Sequence, residues 1–253
     1  PSRHLGLSID ETFCFDAFAD RVAEVIDKTV NVDRLLELCA VEFSGEQTEG
    51  VVCFGNRKIA IARDEAFNFM YRENVEALKR AGEVVFFSPL RDKSLPEADM
   101  VYFPGGYPEL HLAELAANEG MRQSVRKYCE NGGRVLAECG GMMYLCDTIT
   151  DGDGKVYPMA GVLKQGATME QMKLKLGYRE VRVNGQRIRG HEFHYSRILP
   201  TNEKIPVIGT IYNAKDMVVD TPVYTYKNVL ASYIHFYWGE CGIDHFLMLM
   251  SQK

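Results

Sequence analysis

What this 253-residue chain lacks removes several classes of function before any motif is read. No stretch approaches the 18 consecutive apolar residues that a membrane-crossing helix needs, and Pro1-Ser2-Arg3-His4 does not open a basic-then-apolar signal peptide. No membrane contact and a cytoplasmic location are therefore expected. No Lys/Arg block occurs and the formal charge is −6, so no extended basic surface for nucleic acid is expected. The seven cysteines (14, 39, 53, 129, 139, 146 and 241) include no C-x-x-C pair. That argues against a disulfide framework and a cysteine-held zinc; no metal site is expected, and most of the thiols read as small core hydrophobes. A G-x-x-x-x-G-K-[ST] phosphate loop is absent too, so this chain by itself is not expected to bind ATP. There is no initiator methionine, and Pro1 reads as the start of a piece excised from a longer polypeptide.

What is present has the composition of a globular protein, long enough for one sizeable core with an appendage. Along residues 11–40, Phe18, Val22, Val25 and Ile26 recur at helical spacing, and Leu35, Leu36 and Leu38 follow an Asn31-Val32-Asp33 start. The spacing predicts two helices. Residues 42–56 (EFSGEQTEGVVCFGN) are polar and contain glycine, and read as a linker.

From Lys58 strands and helices alternate. Ile59-Ala60-Ile61-Ala62, Val84-Val85-Phe86-Phe87 and Met100-Val101-Tyr102-Phe103 read as buried strands, with helices over 73–80 and 119–129. The first helix stops at Ala81-Gly82, a C-terminal cap signal; the second leads through Asn131-Gly132-Gly133 into the strand before Cys139. This order predicts a mostly parallel sheet flanked by helices, with ligands at the carboxyl ends of its strands. Beyond Asp151 the chain turns to short β-rich runs at 178–183, 190–195, 207–212 and 229–235.

Cys139 stands directly after a strand and directly before a helix. A strained turn there lifts the sulfur from the sheet, and a helix N-terminus favours the thiolate. Gly140 and Gly141 let the backbone turn tightly, and the N–H after a nucleophile serves an oxyanion hole. A second donor is expected from Gly105-Gly106, which closes a neighbouring strand with backbone free of side chains. A cysteine nucleophile needs an imidazole to take its proton and return it to the leaving amine. Of the six histidines, His235 is the best placed, at the end of the apolar run from Val229. His191 and His194, on one expected strand, point to opposite faces and so do not readily share a metal; either alone reads first as structural.

As a set, AECGGMMYL (Ala137 to Leu145), FPGGYPELH (Phe103 to His111), LGYREV (Leu176 to Val181), RGHEFHYS (Arg189 to Ser196) and ASYIHFYW (Ala231 to Trp238) resemble the glutamine amidotransferase domain of cobyrinate a,c-diamide synthases, over about residues 57–250. RHLGL (Arg3 to Leu7) and the helices after it look like the tail of those enzymes' ATP-dependent synthetase domain. The resemblance implies an α/β, class I glutamine amidotransferase-like (flavodoxin-like) domain at 49–253 behind a helical tail and linker at 1–48. It implies that Cys139 attacks the side-chain amide of glutamine and forms a thioester, that His235 is the general acid/base, and that Gly106 and Gly140 supply oxyanion donors. Weaker substrate-binding candidates are Gly105, Tyr107, Gly141, Met143, Arg179 and His194. The chain needs no cofactor of its own under this reading. In the full-length enzyme, ATP and Mg²⁺ would activate the a and c carboxylates of a corrinoid (cobyrinate), the cobalamin precursor, for amidation by the released ammonia.

Two departures from the wider class I pattern matter. Tyr237 stands where many relatives carry the glutamate that orients the histidine, so a Cys–His dyad is expected, with Glu138 and Glu192 as weak orienting candidates and a low basal rate. Met143 stands where many carry a glutamine that holds substrate, which leaves the α-carboxylate to another partner, for which Arg179 is only a guess. The same glutaminase half would serve a hydrogenobyrinate or nickel-sirohydrochlorin a,c-diamide synthase. A DJ-1-like cysteine hydrolase or chaperone, which usually has histidine where Gly140 stands, and a non-catalytic docking module are the other readings. Exposed apolar area along residues 1–40 is expected if a partner domain is missing.

Overall fold

In a computed structural model of the chain, the described residues are 2–3, 6–7, 15–41, 57–201 and 204–239. The linker expected at 42–56 lies outside them. The chain divides into two compact units, 1–50 and 51–253.

In the first unit, β1 (Ser2–Arg3) pairs with β2 (Gly6–Leu7), followed by helices α1 (Phe15–Thr29) and α2 (Val32–Cys39). Asn31 caps α2 by accepting the Arg34 N–H at 2.9 Å. Neither helix buries a residue, although both are amphipathic. Val25 is 59% and Leu36 63% exposed, so the apolar area expected along this stretch is there.

The second unit opens with β3 (Lys58–Ala62), α3 (Arg72–Ala81), β4 (Glu83–Phe87) and β5 (Met100–Phe103). A 3₁₀ turn (Pro108–Leu110), α4 (Leu112–Ala117) and α5 (Glu119–Glu130) lead to β6 (Arg134–Glu138) and α6 (Gly140–Leu145). Strands β7 (Cys146–Thr150), β8 (Val156–Pro158) and β9 (Leu163–Thr168) follow, then β10 (Lys175–Val183), β11 (Gln186–His194), β12 (Arg197–Ile198) and β13 (Thr210–Asn213). The described chain ends through β14 (Val223–Tyr226), β15 (Val229–Ser232) and β16 (Ile234–Tyr237).

A six-stranded sheet of order β14-β15-β6-β5-β3-β4 forms the centre, parallel throughout except for the edge strand β14. Its strands alternate side chains between two cores, as the pleat requires. Ala60, Val101, Val135 and Ala231 face α4, α5, α6 and the sheet β12-β9-β7-β8. Ile61, Tyr102, Leu136 and Leu230 face α3 and the antiparallel sheet β13-β10-β11-β16. The mostly parallel, helix-flanked α/β sheet is the architecture expected from the strand–helix alternation.

Two features differ from the sequence reading. The run from 229 to 235 is not one strand: it breaks at Tyr233, where Ser232 Oγ accepts the Ile234 N–H at 3.2 Å and donates to Pro222 O at 2.9 Å. That hydroxyl takes over backbone pairing at the bend, so β15 stays in the central sheet and β16, with His235, crosses to the antiparallel one. The sheet built on β7 and β9 was also unforeseen, because its strands are short and mix polar with apolar residues.

Candidate functional site

Cys139 sits between β6 and α6 with φ 45° and ψ −106°, a conformation that β-carbon sterics disfavour. Its N–H donates to Ser232 O at 2.7 Å and its carbonyl accepts the Met143 N–H at 3.0 Å, so the turn is held from both sides. The elbow matches expectation, but Cys139 is only 3% exposed. Burial pushes its pKa well above the ordinary thiol range, with the Glu109 charge adding to that; the Gly140 N–H pulls the other way. The expected thiolate stabilisation by α6 is therefore outweighed by desolvation, and the group is a neutral thiol in this state.

Because Cys139 N–H bonds to the last residue of β15, the chain that runs on to His235 starts from the Cys139 turn. His235 is fully buried, with its ring 4.7 Å from Phe69 and stacked 4.8 Å from His191. The register explains the stack, since His191 pairs with His235 across β11 and β16. His191 Nδ1 lies 2.7 Å from Tyr71 OH, and burial lowers the pKa of the His191 imidazole. Gly105 holds the other side of His235: a Cβ there would lie 2.2 Å from the ring Cε1. The end of β5, His235 and the Cys139 turn thus converge at the carboxyl edge of the central sheet.

Gly106 has φ 155°, and a Cβ on it would meet Ala66 O at 2.2 Å, so only glycine fits. A Cβ on Gly140 would lie 3.2 Å from Gly106 O, which puts the two expected donor loops side by side. The remaining candidates are scattered in role. Gly141 allows α6 to touch the end of β5, where a Cβ would meet Phe103 O at 2.4 Å. Tyr107 is buried, with its N–H on Ala66 O at 3.0 Å. Met143 is buried too, and its sulfur accepts Ser196 Oγ at 3.3 Å.

Arg179 is not the solvated rim residue that its place on a strand suggests. It is 8% exposed, with Nε on Glu192 Oε2 at 2.7 Å and a second nitrogen on Tyr178 O at 2.9 Å. Glu192 also receives Thr221 Oγ1 and His194 Nε2, both at 2.8 Å, and faces Lys175 at 3.3 Å. Burial pushes this carboxyl up, yet the bonds from His194 and Thr221 and the Lys175 charge hold it down at about 2. Strand alternation turns Glu192 and His194 away from His191 and His235. Glu192 is therefore committed elsewhere and does not orient His235. Glu138 lies under the site, bonded to Tyr102 OH at 2.8 Å and to the Phe236 N–H at 3.2 Å.

His194 bonds Ser196 O at 2.7 Å and stacks flat on Tyr233 at 3.6 Å, and Ser196 Oγ is hydrogen-bonded to Tyr233 OH at 2.9 Å. These residues floor a cavity of about 810 Å³ whose wall includes Lys173, Arg197 and Lys204. Phe69, Tyr71, Asn74 and Tyr233 escaped the sequence reading. No spacing marks them, and only tertiary packing brings them to the site: Phe69 bridges Gly105, Tyr71 and Asn74 stand at the start of α3, and Tyr233 lies at the break between β15 and β16.

Against known proteins, residues 58–241 match the sequence model for the CobB/CobQ-like glutamine amidotransferase domain. A cobyrinate a,c-diamide synthase from Salmonella typhimurium is 34% identical over 255 residues, covering 95% of this chain and 55% of that protein. A hydrogenobyrinate a,c-diamide synthase from Pseudomonas aeruginosa is 37% identical over 243 residues, covering 94% of this chain and 54% of that protein. The chain spans about half the length of these curated relatives. A crystal structure of glutamine amidotransferase shares the fold, with a TM-score of 0.51 and 24% identity over 77% of this chain and 99% of that one.

Proposed function

Since the chain belongs to the CobB/CobQ-like glutamine amidotransferase domain family, we propose that it is the glutaminase half of a cobyrinate or hydrogenobyrinate a,c-diamide synthase, working through Cys139 and His235. The observation that carries the reading is the joint placement of the two residues. Cys139 stands on a strained turn whose N–H is bonded to Ser232, and His235, three residues further on, is fixed against Gly105.

In this reading glutamine enters with its carboxamide carbon over Cys139. Its α-carboxylate lies toward the cavity floored by His194, Ser196 and Tyr233, where Arg197 and Lys173 supply positive charge. Arg179, paired to Glu192, is not free for that task. His235 takes the thiol proton as Sγ bonds to the carboxamide carbon. A buried neutral thiol suits this concerted transfer better than a standing thiolate. The oxyanion is met by the Gly140 and Gly106 N–H groups. The C–N bond breaks as His235 returns the proton to the departing nitrogen, giving ammonia and a thioester. Water, deprotonated by His235, then cleaves the thioester to glutamate and restores the thiol.

The ammonia is consumed by the other half of the enzyme, of which residues 1–48 are the helical tail. The exposed apolar faces of α1 and α2 fit that assignment. ATP and Mg²⁺ bound to that half would activate the a and c carboxylates of the corrinoid. Relatives of both acceptor names stand at similar identity, which supports a choice of tetrapyrrole made mainly outside this chain. The test is labelling with the glutamine analogue 6-diazo-5-oxo-norleucine, followed by peptide mass mapping. One adduct, on Cys139 and blocked by excess glutamine, is expected. No adduct on Cys139 would overturn the glutaminase reading in favour of a docking module.

A further inference from the structure

Among the described residues, His235 lies on an outermost strand of its sheet, so alternate backbone groups of β16 face away from β11. Edge groups buried in a core must be bonded by something other than a strand. Here polar side chains take that place. Glu138 Oε1 accepts the Phe236 N–H at 3.2 Å, Asn74 Nδ2 donates to Phe236 O at 2.7 Å, and Asn74 Oδ1 accepts the Trp238 N–H at 2.9 Å. Tyr102 OH donates to Glu138 Oε2 at 2.8 Å and is hydrogen-bonded to Asn74 as well. Asn74, Tyr102 and Glu138 are each 1% exposed or less.

The bonds fall at telling places. Glu138 is the chain neighbour of Cys139, and Phe236 is the chain neighbour of His235. One carboxyl therefore joins the strand ending at the nucleophile to the strand carrying the base, one residue from each, while Asn74 pins the same stretch to α3. We infer that Glu138 and Asn74, backed by Tyr102, are positioning residues that hold His235 in register with Cys139 through the main chain of Phe236 and Trp238. They do for this dyad, by way of the backbone, what an acid on the imidazole does in a triad. The inference rests on the Cys139–His235 reading above and says what orients its base.

Glutamine in place of Glu138 keeps the clamp, because its amide oxygen still accepts the Phe236 N–H and its NH₂ donates to the Tyr102 oxygen. Alanine at Glu138 or Asn74 removes it. The experiment compares the chain with its Asn74→Ala, Glu138→Ala, Glu138→Gln, Tyr102→Phe and His235→Ala variants, each checked for folding by circular dichroism and thermal unfolding. The first readout is the pH dependence of Cys139 alkylation by iodoacetamide, which reports proton transfer to His235 whether or not glutamine is turned over. The second is glutamate release, resolved into kcat and KM.

Asn74→Ala and Glu138→Ala are expected to lose the His235-dependent limb of the alkylation profile and to drop kcat by about 10²-fold, the cost of misplacing a reacting group by about 1 Å. KM should stay within about twofold, and Glu138→Gln should restore both readouts. Folded Asn74→Ala with the wild-type profile and kcat overturns the inference. If an alanine variant does not fold, Tyr102→Phe and Glu138→Gln decide it: a weakened His235 limb in the first with a wild-type limb in the second supports the clamp, and any other pairing overturns it. If wild type and His235→Ala already coincide, the dyad itself is wrong and this inference falls with it. Coupling intact in wild type and in the clamp variants sinks this inference alone.

Discussion

Replacing Gly105 with alanine puts a methyl group where the His235 ring now sits. Its Cβ would lie 2.2 Å from Cε1 and 2.8 Å from Nδ1. The ring has little room to swing aside, because it is fully buried and flanked by Phe69 at 4.7 Å and His191 at 4.8 Å. Gly105 is not in a left-handed conformation, so the effect is steric and not a matter of backbone strain. Restoring a carbon–carbon separation of about 3.5 Å requires a shift of roughly 1 Å. A shift of that size at a reacting group costs about 10²-fold in rate. Overpacking costs about 1–3 kcal/mol, or roughly 2–12 °C of Tm at this size. Glutamate release and thermal unfolding measure the two effects on one preparation. A Gly105→Ala variant with kcat within twofold of wild type and an unchanged Tm would refute the close packing of Gly105 on His235.

Three further outcomes follow from the same geometry. Cys139→Gly should unfold at a higher temperature than Cys139→Ala, by about 1 kcal/mol of stability, since glycine relieves the φ 45° strain that alanine keeps; equal melting temperatures would speak against a strained turn. Burial raises the Glu138 carboxyl to about 8 against the pull of Tyr102 and Phe236. A folded pKa above the unfolded value of about 4.3 means that stability is fullest below about pH 4 and declines as pH rises toward 8. Glu138→Gln should flatten that decline in urea titrations at pH 5 and pH 8, and a slope parallel to wild type would contradict the burial argument. Arg179→Ala should destabilise the fold by about 3 kcal/mol, the low end for unpairing a buried charge, because Glu192 keeps His194, Thr221 and Lys175. A well-folded Arg179→Ala with only a raised KM for glutamine would instead restore Arg179 as a substrate residue.

The parts of the fold legible in the sequence were those set by local pattern. Ile59 to Ala62 and Met100 to Phe103 are continuous apolar runs, as strands covered on both faces must be. Asn31 and Gly82 mark helix ends through their own side chain and backbone. The Cys139 elbow was legible because strand, Cys-Gly-Gly and helix follow one another in the chain. Features set by register were not. That Tyr233 breaks the last strand depends on a Ser232 hydroxyl finding Pro222 O, ten residues back. Arg179 looked like a rim residue because nothing local reveals Glu192 beside it across the hairpin. Glu138 looked like an ordinary strand-end carboxylate, and its bond to Phe236 spans 98 residues of sequence.

Under the proposed function, Cys139 and His235 together hydrolyse glutamine. Glutamate released from glutamine by the wild-type chain, by Cys139→Ala and by His235→Ala, each confirmed as folded, tests it most directly. Slow but measurable release by wild type is expected, with none above background by Cys139→Ala and a loss of at least about 10²-fold by His235→Ala. Release that survives in Cys139→Ala, or none in wild type even with the separately expressed ATP-binding half present, would contradict it.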